Sequence, residues 1–348
     1  MMAEKVTSLQ VAERAGVSQS AVSRVFTPGA SVSQKTVDKV RKAAEELGYR
    51  PNVLARAMVS GKSRIIGLVV AYLDNYFYPE TLEILSNALQ EKGYHVLVFM
   101  ASHTAGPIDD VVQEILDYQV DGIVTASVAM SSKLSQKCIQ ANVPVVHFNR
   151  FEKSQGVSSV TSDNFAGGRE LAQFLVAGGH QKIAYIAGWE GASTQADREA
   201  GFRAGLEELG QSLFARGCGD FDTDHARAAA NAMFNVPAKD RPDAVFVAND
   251  HMAFAVMDEL RYSLDLKIPE DVSVVGFDDV PPAAWRAYDL TTMRQRANLM
   301  VAETVDALLA HIENPTTAAP RQIAITAPLI VRSSARLPVK WPQEEGQG

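Results

Sequence analysis

The chain has 348 residues, 47% of them hydrophobic, with 33 Lys and Arg against 41 Asp and Glu for a formal net charge of −8. That is enough apolar material for a small domain and about two larger ones. No run of 18 apolar residues occurs and the start MMAEKVTSLQ lacks the apolar stretch of a signal peptide, so neither a membrane span nor export is indicated and the cytoplasm is the expected location.

The acidic total hides a polarised chain. Residues 1–64 carry eleven Lys and Arg against five Asp and Glu, a net of +6, which leaves 22 against 36, a net of −14, for the rest. A basic front end on an acidic protein points to a polyanionic partner. Within it, residues 6–26 place two short amphipathic patterns on either side of Ala15-Gly16-Val17. Leu9, Ala12 and Ala15 form the apolar stripe of the first, with Ser8 or Thr7 as its cap, and Gly16 permits the tight turn. The second starts at about Gln19, with Ser18 as N-cap and Val17 and Val22 as a hydrophobic staple. Ala21, Val22, Val25 and Phe26 fall on one face; Gln19, Ser20, Ser23 and Arg24 fall on the other. The spacing suits a helix-turn-helix that presents its second helix to the major groove of DNA. An ordinary helical hairpin has the same periodicity, and the charge distinguishes the two readings.

Val37, Val40, Ala44 and Leu47 write a third helix, capped by Ser33 and stopped by Gly48. Residues 51–63 follow with helix-forming composition but only two turns before Gly61, too short to be stable alone. They read either as a plain linker or as a hinge that becomes helical when two copies meet on DNA.

From Ile65 the pattern changes to apolar runs: IIGLVVAY, HVLVFMA, DGIVTAS and PVVHFN, then KIAYIAG, DAVFVAN and VSVVGFD. They alternate with amphipathic stretches at 79–92, 107–118, 131–141, 165–177, 196–209 and 250–262, which predicts βαβ units with parallel sheets. Four runs precede the polar stretch 152–164 and three follow it, so two doubly wound lobes are expected, with a ligand cleft between them.

Local signatures of catalysis and cofactors are missing. Gly61-Lys62-Ser63 lacks the first glycine of a phosphate loop, Gly217 and Gly219 lack a third glycine, and Gly167-Gly168 has no dinucleotide fingerprint. No HExxH, paired Cys motif or G-x-S-x-G elbow occurs. Cys138 and Cys218 lie far apart without metal-ligand spacing and read as reduced packing residues. The expected class is therefore a non-enzyme with no cofactor and no metal, although a scattered catalytic site would leave no such motif. A free-standing solute-binding protein of the same two-lobed type would carry a secretion signal and no basic headpiece. Asp278-Asp279 reads either as a polar loop or as acceptors for ligand hydroxyls.

The stretches VAERAGVSQSAVSRVF, VSQKTVDKVRKAAEELGYRPNVLARAM, DNYFYPE, VTSDNFAGGRELAQFLVAGGHQKIAYIAG, PDAVFVANDHMAFAV and IPEDVSVVGFDDV resemble the lac repressor (LacI/GalR) family of bacterial transcription regulators, from about Val6 to about Arg336. The resemblance implies a three-helix headpiece at 1–50, a hinge at 51–63, and two lobes of periplasmic-binding-protein type at 64–340, followed by a tail at 341–348. The first lobe is expected at about 64–161 and 294–322, the second at about 162–293 and 323–340. By similarity Gln19 and Ser20 read bases and Arg24 makes a further contact. Gln suits adenine and Arg guanine, while Thr7, Ser18 and Ser23 suit phosphates. Met58 stands where the family usually has a leucine that wedges into the minor groove, and Ala55 is the small residue one turn earlier. Ala21 replaces a usual threonine, and TPGASVS is longer than the common turn.

For the effector the resemblance implies Phe77, Tyr78, Asn149, Arg150, Asp163, Thr194, Arg198, Phe221, Asn249, Asp278 and Gln295. Aromatic faces and bidentate polar groups suit a sugar or sugar acid, and aromatic stacking also suits a nucleobase. Each has a plainer reading: Phe77 or Phe221 as core, Arg198 paired with a glutamate, Asp163 as a helix cap. The implied function is a cytoplasmic homodimer that binds a palindromic DNA operator and represses carbohydrate-utilisation genes under effector control.

Overall fold

A computed structural model describes residues 6–27, 30–50, 62–71, 73–101, 105–128, 132–151, 156–339 and 341. Ala55 and Met58 lie outside the described residues. The chain divides into two compact units, residues 1–63 and 64–348.

In the first unit α1 (Ser8–Ala15), α2 (Gln19–Val25) and α3 (Gln34–Leu47) pack around Val11, Ala12, Val22, Val40, Ala43 and Ala44, all buried. Of the two expected caps for α1, Thr7 is the one used. Its hydroxyl accepts from the Gln10 amide at 3.4 Å, and its own amide donates to Gln10 Oε1 at 2.8 Å, a capping box. Ser18 and Ser33 accept from the amides of Ala21 and Thr36. Leu9 departs from expectation, being 53% exposed. The α1 stripe is centred on Val11, and Leu9, two positions earlier at 100° per residue, turns outward.

The second unit holds two six-stranded sheets. In the first the order is β11-β5-β4-β3-β1-β2 and every pairing is parallel, with β1 (Ile65–Val70), β2 (His95–Met100), β3 (Gly122–Ala126), β4 (Val145–Phe148), β5 (Ser158–Ser162) and β11 (Gln322–Ile325). Its helices are α4 (Phe77–Glu91), α5 (Ala105–Asp117), α6 (Ser132–Gln140) and α11 (Ala297–Glu313). In the second the order is β12-β10-β9-β8-β6-β7, from β6 (Ile183–Ala187), β7 (Ala215–Cys218), β8 (Ala244–Val247), β9 (Ser273–Asp278), β10 (Thr291–Arg294) and β12 (Leu329–Ile330). Here β12 pairs antiparallel with β10, so this sheet is parallel except at one edge. Its helices are α7 (Asn164–Ala177), α8 (Ser193–Glu208), α9 (Thr223–Phe234) and α10 (Asp250–Asp258).

All seven apolar runs are strands, and among the described residues five further strands carry weaker patterns. β5 lies inside the polar stretch 152–164 that separates the two sets of runs. Its serines are buried yet satisfied: Ser158 Oγ accepts from the Arg321 amide at 3.0 Å and Ser162 Oγ donates to Gln295 Oε1 at 2.8 Å. The last crossing between lobes also differs from expectation. β11 pairs with β5 in the first sheet through Ile325, so the chain returns to the second lobe at 326–328 rather than after 322. A parallel register with β5 holds those residues in place where sequence periodicity is short. Cys138 is buried as expected, whereas Cys218, on an edge strand, is exposed; both are free.

Candidate functional site

In the headpiece the first turn of α2 presents Gln19 and Ser20 to solvent, followed by Ser23 and Arg24, while Val22 points into the core. Thr7 and Ser18 are exposed at the starts of α1 and α2, each already holding a helix amide. Ser18 Oγ and Ser20 Oγ are 3.0 Å apart. Gln19 is oriented by a contact that helical periodicity does not reveal: its Nε2 donates to Ser8 Oγ at 2.9 Å. Gln19 Oε1 has no hydrogen-bond partner among the described residues.

In the larger unit the carboxyl ends of strands converge from both lobes, the place where open α/β sheets bind ligands. Asp278 ends β9 and is 3% exposed. Its Oδ1 accepts from Gln295 Nε2 at 2.7 Å and lies 3.5 Å from an Arg198 Nη; its Oδ2 accepts from Asn75 Nδ2 at 3.1 Å. Arg198 in turn donates from Nε to Asn164 Oδ1 at 2.8 Å and from Nη1 to the Ala248 carbonyl. Its guanidinium lies 3.7 Å from the Phe277 ring centroid. Burial raises the Asp278 carboxyl above its ordinary value and the Arg198 charge opposes that shift. Asp250, fully buried at the start of α10, is raised by burial and then by the charge of Asp278. It accepts from Thr292 Oγ1 at 2.6 Å and from the Val280 amide at 3.1 Å.

The position of Arg198 is a consequence of helix packing. A Cβ on Gly168 of α7 would overlap the Arg198 carbonyl on α8, and a Cβ on Gly201 would overlap the Phe165 carbonyl. The glycines let the two backbones touch, which sets α8 deep enough to bring Arg198 to Asp278. This is the role of Gly167-Gly168 in the sequence: Gly167 in turn faces the Phe277 ring.

The first lobe contributes Tyr78, Ser127 and Asn149. The Tyr78 and Ser127 hydroxyls are hydrogen-bonded, and Asn149 Nδ2 donates to Tyr78 Oη at 3.2 Å. Asn149 has φ +54° and its buried Oδ1 has no hydrogen-bond partner among the described residues. From the second lobe come Thr194 on α8, Asn249, which caps α10, and Phe221. The Phe221 ring lies where a Cβ on Gly188 would be. Together with Asn75 and Asp278 these residues enclose a cavity of about 10 Å³, room for about one water.

Of the eleven sequence-predicted residues, seven line this cavity: Tyr78, Asn149, Thr194, Arg198, Phe221, Asn249 and Asp278. Gln295 reaches it by its bond to Asp278. Arg150 is buried at the edge, donating to the Ser127 carbonyl at 2.9 Å with its guanidinium 5.8 Å from the Trp189 ring. Phe77 stacks on Phe148, is 3% exposed and lines a different cavity from this one. Asp163 is half-buried and accepts from the Ala166 amide at 3.0 Å, the helix-cap reading. Arg198 pairs with Asp278 rather than with a glutamate. Sequence reasoning missed Asn75 and Ser127, though both stand at strand-end loops of a kind that supplied the others.

A model of the bacterial regulatory proteins, lacI family, matches residues 9–52, and one of a periplasmic binding protein-like domain matches residues 172–335. The HTH-type transcriptional regulator CelR of Thermobifida fusca is 33% identical over 334 residues, 93% of this chain and 96% of that protein. The ribose operon repressor of Escherichia coli strain K12 is 30% identical over 335 residues, 94% and 99% of the two chains. Among solved structures, the lac repressor dimer bound to operator and the anti-inducer ONPF superposes with a TM-score of 0.84 at 28% identity, covering 95% of this chain and 99% of that one. The CelR–cellobiose complex superposes with a TM-score of 0.71 at 32% identity, covering 95% and 100%. With a helix-turn-helix headpiece, two α/β lobes and full-length relatives of this similarity, the chain belongs to the LacI family of bacterial DNA-binding transcriptional regulators.

Proposed function

We propose that the chain is a cytoplasmic homodimeric repressor of carbohydrate-utilisation genes, with no catalytic activity of its own, whose grip on a palindromic operator is set by a sugar held between its lobes. The observation that carries this reading is the buried polar ring around Asp278, to which both lobes contribute. Carboxylate, amide and hydroxyl groups at strand ends match a polyol, and Phe221 offers a ring face for its C–H surface. A neutral sugar fits better than a sugar acid, because the Arg198 charge is already matched by Asp278. The relative solved with cellobiose is consistent with such an effector. A small-molecule site normally needs about 300 Å³ or more, so the lobes must part to admit a ligand into a cavity of about 10 Å³. An effector that prefers one lobe angle can then shift the DNA-binding state. Gln19, Ser20 and Arg24 read bases; Thr7, Ser18 and Ser23 hold phosphates; the segment with Ala55 and Met58 enters the minor groove.

The test is a thermal-shift screen of neutral sugars, sugar acids and nucleobases, followed by operator binding with and without the hit. Asp278→Ala is expected to lose the effector response while retaining effector-free operator binding. A full response in that variant would place the effector elsewhere.

A further inference from the structure

A second cavity, of about 360 Å³, shares Asp278 with the lining of the first and also takes in Phe77 and Gln295 of the sequence-predicted effector set, its other walls being distinct. We propose that it is a separate ligand site, for a small carboxylate with an apolar body, and that its occupancy is coupled to the angle between the lobes. The volume falls in the range of small-molecule sites. One wall is apolar, built from Phe77, Ile84, Val280 and Pro281. The other carries Arg294, Arg296 and Arg332.

The charges on that wall do not cancel. Arg294 and Arg332 share the single carboxylate of Asp279, whose Oδ1 accepts from Arg332 at 2.6 Å and whose Oδ2 accepts from Arg294 Nε. The Arg296 guanidinium has no ion pair or hydrogen bond among the described residues. Asp278 is occupied with Arg198, which leaves Glu80, exposed on α4, as the other acid of the lining. Three guanidinium groups thus face two carboxylates, and the forked donors of arginine match a carboxylate better than any neutral group. The apolar wall disfavours a strongly hydrated body such as a sugar.

Coupling follows from which elements form the walls. Phe77 and Ile84 stand on α4 of the first lobe, Val280 and Pro281 follow β9 of the second, and Arg294–Arg296 is the segment that crosses between them. Between the two arginines Gln295 donates to Asp278, so a shift of the crossing segment is felt in both cavities. A ligand touching all three parts binds one lobe angle better than another.

The test titrates the full-length protein with benzoate, using calorimetry and thermal unfolding, with benzyl alcohol as the neutral control. Arg296→Ala is the variant, because Arg296 is exposed and lies outside the effector and DNA sets. Benzoate is expected to bind saturably and raise Tm where benzyl alcohol does not. Arg296→Ala should bind it about tenfold more weakly, as expected when one charge-assisted hydrogen bond is removed, with the same ligand-free Tm. Benzoate should also shift operator affinity in the wild type and not in the variant. No benzoate binding, equal binding by Arg296→Ala, a matching effect of benzyl alcohol, or binding with no change in operator affinity would each overturn the proposal.

Discussion

One hydroxyl, that of Ser8, holds the side chain of Gln19, the residue proposed to read bases. On the proposed reading, with Nε2 held by Ser8, Gln19 Oε1 is expected to accept from a base that offers a donor, adenine N6 or cytosine N4. Ser8→Ala is expected to relax preference at the base pair that Gln19 contacts while leaving the salt dependence of binding unchanged, since the basic side chains that meet phosphates are untouched. Competition binding with single-base variants of the operator checks this, and Gln19→Ala in parallel shows which base pair is involved. At the other site, Asp250 faces Thr292, Val280 and the neighbouring acids Asp278 and Asp279, with burial as the main cause of its raised carboxyl. A folded-state value above the unfolded one means that the folded protein binds more protons between the two, so stability falls as pH rises from 3.8 through the raised value. Asp250→Asn keeps an acceptor for the Val280 amide and places an N–H beside Thr292 Oγ1, whose hydroxyl turns from donating to accepting. It is expected to flatten that fall, read as urea midpoints across pH, by about 1.4 kcal/mol for every pH unit that separates the raised value from the ordinary one.

At the level of elements, helix ends and glycine contacts carry much of the placement. Ser33 caps α3 and is not among the residues proposed to meet DNA, so Ser33→Ala is expected to cost about 1 kcal/mol of headpiece stability without altering base preference. Chemical denaturation of residues 1–63 within the full chain, followed by operator competition, separates the two effects. Gly188 holds open the place of the Phe221 ring. Gly188→Ala should displace that ring and weaken the effector by about tenfold, with operator binding in its absence retained. Strong apolar runs such as IIGLVV and AVFV were legible as strands because both faces are buried. SSVTS was not, because side-chain hydrogen bonds rather than apolar contacts satisfy its buried positions.

For the molecule as a whole, a front end of net +6 on a remainder of net −14 makes operator affinity an ionic-strength-dependent quantity. Binding should fall steeply with salt, and Lys or Arg to Ala changes within residues 1–64 should lessen the slope by about one for each phosphate that is no longer neutralised. Titrations at several salt concentrations check this, and a salt-insensitive complex would contradict the polarised charge.

Local order determined much of this protein. Cap residues, helical periodicity and the charge of residues 1–64 specify the helix-turn-helix, because those signals act within a few residues of one another. Seven strands follow equally from their own composition. Two lobes and a cleft between them followed from the alternation of strands and helices, but the residues proposed to line that cleft were legible only through resemblance. Asn75, Ser127 and Asp278 are separated by tens to hundreds of residues and acquire meaning when two sheets bring their strand ends together. Tertiary structure alone decided that Arg198 meets Asp278 and that Arg294, Arg296 and Arg332 face one cavity. Side-chain partnership across such distances is set by packing geometry, which no local pattern encodes.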